Sequence, residues 1–116
     1  MATIAELTFS ATIGTTEYSI PNASTTLTPI TTDGPVDVFL DCNAVAGGDE
    51  FAVKIYEKAK SGDTQRLVER WTIAGPQGTP IWSVSLPILL HGWDVTITKI
   101  AGTDRAMSGG TRQIQP

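Results

Sequence analysis

An all-β fold, a two-sheet antiparallel β-sandwich of the immunoglobulin-like or jelly-roll kind with about seven to nine strands, is what this 116-residue sequence predicts. Short stretches alternate apolar and polar residues with the period of a half-buried strand. Glycine and proline cut these stretches at the spacing of sandwich turns. No helical pattern of ten or more residues stands between the strands, so a parallel α/β fold is excluded.

The elements follow in chain order. Ala5, Leu7, Phe9, Ala11 and Ile13 alternate with Glu6, Thr8, Ser10 and Thr12, giving a strand with one dry and one wet face that Gly14 ends or bends. Thr16, Tyr18 and Ile20 predict a second short strand closed by Pro21-Asn22. The threonine-rich stretch 23–30 suits a short edge strand carrying Leu27, because β-branched residues favour extended backbone while Pro29 lacks a ladder donor. After the turn at Thr31-Thr32-Asp33-Gly34-Pro35, Val36, Val38 and Leu40 point one way and Phe39 the other, between Asp37 and Asp41. Residues 41–49 read as a crossing loop with room for one helical turn, Asp41 or Asn43 capping its amides and Gly47-Gly48 ending it.

The hairpin 50–73 is the clearest unit. Phe51, Val53 and Ile55 face inward, Lys54, Tyr56 and Lys58 outward, and Lys60-Ser61-Gly62-Asp63 reverses the chain. In the return strand Leu67, Trp71 and Ile73 share one face and Arg66, Val68 and Arg70 the other; Glu57 and Glu69 break strict alternation, a slip that a bulge or a strand end accommodates. Residues 74–80 are loop. Trp82, Val84 and Leu86 share a parity in a strand that Pro87 places at an edge or kinks. Trp93, Val95 and Ile97 build another strand, and 105–114 a last one weakened by Gly109-Gly110. The whole is expected to be a single domain over 1–116, with 1–14 as a potential N-terminal arm and 108–116 as a flexible C-terminal end.

Composition removes several classes of function. The net charge is −4, from eight basic and twelve acidic residues with the basic ones dispersed, so a nucleic-acid partner is not expected. No apolar run reaches the length of a membrane span, and the first residues lack the basic start and apolar core of a signal peptide. One cysteine, Cys42, allows no intramolecular disulfide and reads as a small core side chain.

Catalytic chemistry is equally thin. The single histidine, His91, would have to serve every nucleophile-and-base scheme, and it stands between an apolar run and Gly92 as a loop residue. A zinc site lacks ligands. Asp33, Asp37 and Asp41 recur every fourth residue, but that spacing covers about 13 Å of strand, too far to hold one ion. Asp49-Glu50 is the remaining acidic pair, and Gly75-Pro76-Gln77-Gly78 lacks the lysine and helix of a phosphate loop. No catalytic residue, metal ligand or cofactor site is therefore expected, and the chain is not read as an enzyme.

A small acidic β-domain without a reaction centre works by contact. The candidate contact residues are Phe39, out of phase between two aspartates, outward Tyr56, and Leu89 and Leu90 at the end of an apolar run. Edge strands need covering, which a homo-oligomer, dimer or trimer, accomplishes. The three tryptophans, Trp71, Trp82 and Trp93, are expected in the core or a subunit contact. An alternative is a carbohydrate- or surface-binding module, with Trp82, Trp93 or Tyr56 as a flat stacking platform.

Val38-Phe39-Leu40-Asp41, Ala44-Val45-Ala46-Gly47-Gly48-Asp49, Val53-Lys54-Ile55-Tyr56-Glu57-Lys58, Ser61-Gly62, Trp82 and Gly92-Trp93-Asp94 together resemble the small β-sandwich virion proteins of tailed bacteriophages. Such proteins include capsid decoration (cement) and head or tail accessory components. The resemblance covers about residues 36 to 100 and lies in general character and length. It implies a noncatalytic virion protein, made in the host cytoplasm, that contacts the major coat protein or neighbouring virion subunits and secures them.

Overall fold

The computed structural model describes residues 3–115, and every regular element within them is a strand. The strands are β1 (Thr3–Ile13), β2 (Tyr18–Ser19), β3 (Gly34–Asp41), β4 (Glu50–Glu57), β5 (Arg66–Ala74), β6 (Ile81–Leu89), β7 (Asp94–Ala101) and β8 (Arg105–Gln115). They form two four-stranded antiparallel sheets, β1-β8-β3-β6 and β2-β7-β4-β5. Every connection except β4–β5 crosses from one sheet to the other, which is the winding of a jelly roll and not of an immunoglobulin domain.

Alternation puts one set of side chains between the sheets. Phe9, Val36, Val38 and Leu40 from the first sheet meet Phe51, Val53, Ile55, Ile73, Val95 and Ile97 from the second, all buried. Each such side chain stabilises the fold by roughly 1.5–3 kcal/mol. Of the two ways to accommodate the slip in the hairpin, the structure takes the bulge, a register shift between Ile55 and Tyr56 where Val68 is the extra residue; Leu67, expected on the face of Trp71 and Ile73, turns outward as a result.

The segments expected to be an arm and a loose end are where β1 and β8 lie, paired in continuous register from Thr3↔Gln115 to Ile13↔Arg105. β8 occupies the interior of its sheet, between β1 and β3. Gly109 and Gly110 permit this and do not weaken the strand. A Cβ on Gly110 would strike the Leu7 carbonyl oxygen and come within 3.0 Å of Leu7 C and Thr8 Cα; one on Gly109 would strike the Phe39 carbonyl oxygen. Gly109 also has φ +149°, a conformation that side-chain-bearing residues avoid.

Two other expectations change. The threonine-rich stretch forms no strand: Ser24 and Ile30 make isolated bridges to Ser19 and Trp93, and the segment crosses the end of the sandwich as a strap. Trp93 holds it, donating its indole N–H to the Thr32 carbonyl at 2.9 Å, and Gln113 Nε2 donates to the same oxygen. Residues 42–49 contain turns and no helix, although Asp41 does accept the Asn43 amide at 3.0 Å.

Asp49 fastens this loop to the β7–β8 turn. Its carboxylate accepts the Ala46 and Thr103 amides, each at 2.9 Å, and Arg105 Nε at 2.6 Å. The Thr103 and Ala46 amides, then Arg105, hold its pKa down to about 2. The stabilisation is thus present above the ordinary carboxylate value of 3.8 and is lost as pH falls through about 2.

Candidate interaction surface

On the outer face of the first sheet, register builds three rows. Glu6, Arg112 and Asp37 form one, and Arg112 Nε reaches Glu6 at 3.2 Å. Thr8, Gly110 and Phe39 form the next, where the missing side chain at Gly110 leaves space beside Phe39. The Arg112 guanidinium lies over the Phe39 ring, 3.9 Å from its centroid, a cation–π contact that leaves the ring half-buried.

The third row is apolar from edge to edge. Ile4 pairs with Ile114, Pro35 stands beside Ile114 one step beyond the Val36–Gln113 pair, and Pro35 pairs with Ile88. Ile4 is 72% exposed, Ile114 53% and Ile88 65%, and Pro35 is exposed as well. Isolated exposed isoleucines are ordinary, whereas a band across all four strands is a candidate contact surface. Within the sequence, Ile4 and Ile114 share the parity of wet-face Glu6 and Arg112, which flags them as apolar residues on the wrong side. Ile88 carries no such flag, because it follows a register shift.

That shift lies between Pro35 and Asp37, opposite Leu86-Pro87, and it inverts the parity of β6. Leu89 is consequently fully buried in the core, so the contact expected of it falls to its neighbour Ile88. Leu90 is half-buried, its amide donating to the Glu57 carboxylate.

Tyr56 is on the outer face of the second sheet. Its hydroxyl donates to Glu17 at 2.7 Å, and the same carboxylate accepts the Thr96 hydroxyl. Burial, then the Glu17 hydrogen bond and charge, push the Tyr56 pKa up to about 12. Beside it Asp94, 2% exposed, accepts Ser19 Oγ at 2.7 Å and the Val95 amide at 2.8 Å. Burial is the main cause that lifts its pKa to about 6; those two hydrogen bonds oppose the rise and the Glu17 charge adds to it.

A raised folded-state pKa has a definite sign. The contribution of Asp94 to stability is full below the ordinary 3.8 and is lost as pH rises through about 6, since the buried carboxylate must then ionise. Asp94→Asn preserves the acceptor for Ser19 and removes the ionisation. The variant is expected to gain stability relative to the wild type between pH 4 and pH 7 in thermal melts, and a difference that stays constant over this interval would refute the assignment.

Among the described residues no cluster of three or more His, Cys, Asp or Glu is placed to hold a metal ion. The Cys42 thiol is fully buried, and burial followed by the Asp41 charge pushes its pKa up to about 11. The tryptophans offer no open stacking platform: Trp93 is 1% exposed, and the partly buried Trp71 and Trp82 meet edge to face at 6.0 Å.

Fold and surface together define a jelly-roll sandwich with an apolar band on one outer face. No family model matches the chain, and no curated protein matches it. Among solved structures it is similar to a chain from the work described as "Bacillus endospore appendages form a novel family of disulfide-linked pili". The TM-score is 0.52 at 19% identity, over 98% of this chain and 86% of that one. The likeness at this identity is one of fold.

Proposed function

We propose that this chain is a noncatalytic structural subunit that works by being held in a larger assembly, and specifically that it decorates and stabilises a phage capsid or serves as a head or tail accessory component. In that role it is made in the host cytoplasm, carried in the virion, and seated on the major coat protein or neighbouring virion subunits. The observation that carries this reading is the exposed band Ile4–Ile114–Pro35–Ile88. Burying an isoleucine side chain contributes roughly 1.5–3 kcal/mol, so one band gives a modest contact that repetition around a lattice makes firm.

The test is co-sedimentation of the purified protein with coat particles. Ile88→Ser is expected to reduce bound protein at least tenfold while changing folding stability by no more than about 0.5 kcal/mol, as for other exposed positions. Binding that Ile88→Ser leaves intact, or no binding to any shell or tail, would reject the proposal.

The fold likeness supports a second reading, a subunit of a self-assembled appendage. Disulfide linkage is named for that neighbour; here the single cysteine is fully buried, so polymerisation through Cys42 has no accessible thiol. Filaments formed by the isolated protein in electron micrographs would favour this reading over the shell.

A further inference from the structure

The edges of the two sheets are not alike. β2 has two residues, β5 carries a bulge and the charges Arg66, Glu69 and Arg70, and β6 contains Pro87 and a register shift. These are the devices that keep a sheet edge from pairing with another chain. β1 has none of them. It runs eleven residues in unbroken register with β8, without proline, glycine or bulge, and its one charged residue is Glu6.

The direction of its backbone groups follows from β8. The Leu7 carbonyl oxygen faces Gly110, so odd-numbered residues of β1 bond to β8, and Ile4, Glu6, Thr8, Ser10 and Thr12 aim their N–H and C=O groups at the free edge. All five of these residues are exposed.

We infer that β1 is the seam of a twofold dimer in which it pairs antiparallel with β1 of a second copy, centred on Thr8, so that two four-stranded sheets become one of eight strands. This deepens the proposed function by naming a self-contact of the structural subunit. Thr8 is the midpoint of Thr3–Ile13, so this centre uses the whole strand. The edge-facing residues then pair Ile4 with Thr12, Glu6 with Ser10 and Thr8 with Thr8 of the second copy. Five such pairs exchange about ten hydrogen bonds, the number found in an ordinary protein interface.

Charge and packing select the second copy as occupant. Centring on Thr8 sets Glu6 opposite a serine, whereas centring on Glu6 would oppose two carboxylates. On the inner face it sets Leu7, 41% exposed in the single chain, beside Phe9 of the second copy and Ala5 beside Ala11. The strand is thus complementary to itself.

Analytical ultracentrifugation supplies the test. The wild-type chain at about 100 μM is expected at twice its 12.3 kDa mass, and Thr8→Lys, which sets two ammonium groups opposite one another, is expected to weaken association at least tenfold. Oxidation is expected to cross-link Thr8→Cys to itself but not Thr12→Cys, while mixed Ile4→Cys and Thr12→Cys chains cross-link to each other. A monomeric wild type, a Thr8→Lys dimer of undiminished affinity, or self-linking at Thr12→Cys would each overturn the inference. A monomer that still binds coat particles overturns the seam and leaves the particle role standing; a Thr8-centred dimer that ignores every particle does the reverse.

Discussion

Gly110→Ala is expected to prevent folding or to cost on the order of 3 kcal/mol or more. The reason is position. β8 is squeezed between β1 and β3, and at Gly110 an added methyl would meet the Leu7 carbonyl and Thr8 backbone, neither of which can move without breaking the β1–β8 ladder. Gly109→Ala meets the Phe39 carbonyl from the other side and in addition must adopt φ +149°. Alanine at Gly47, where a Cβ would meet nothing within 4 Å, is the control and is expected to fold normally. Urea denaturation of the three variants decides the matter: equal midpoints would mean that the interior strand tolerates bulk, and the packing described for it would be wrong.

Trp93→Ala is expected to cost about 3–5 kcal/mol, as for other buried large-to-small changes. The indole is among the largest fully buried side chains and its N–H holds the strap through Thr32, so the substitution both opens a cavity and releases the 23–32 segment. Two measurements separate these effects. Thermal unfolding reports the cavity, and limited proteolysis reports the strap, which is expected to become cleavable within 23–32 at temperatures where the sandwich is still folded. Trp71→Ala, at a half-buried site on edge strand β5, is expected to destabilise less and to leave the strap protected. A larger loss from Trp71→Ala would reverse the roles assigned to the two rings.

Strands whose faces differ in polarity were legible from residues alone. β1, β4 and β7 alternate over most of their lengths, and the β4–β5 hairpin has its turn and, up to the bulge that turns Leu67 outward, its inner face where period two places them. Glu57 and Glu69 mark the break in alternation, which a bulge or a strand end satisfies equally, and register decides for the bulge. Sheet order was not legible, since pairing β1 with β8 joins opposite ends of the described chain and no local pattern encodes a partner that remote. The apolar band was hidden for the same reason: Ile4, Pro35, Ile88 and Ile114 are scattered singly through the sequence and become neighbours only through register. Pro87 marked an irregular edge, but the direction of its shift, which buries Leu89 and exposes Ile88, depends on packing against β3. The glycine pair misled because glycine weakens an isolated strand, while in a crowded interior strand the absence of a Cβ is what admits it.

The winding of the strands also bears on synthesis. Only β4 and β5 are consecutive neighbours, so a nascent chain leaving the ribosome can close that hairpin early, but β1 and β3 must wait with their facing edges unpaired until β8 emerges to fill the gap. The first sheet therefore cannot close before β8 has been made, and any interruption of translation before Arg105 releases a polypeptide with two open edges, the feature that templates aggregation.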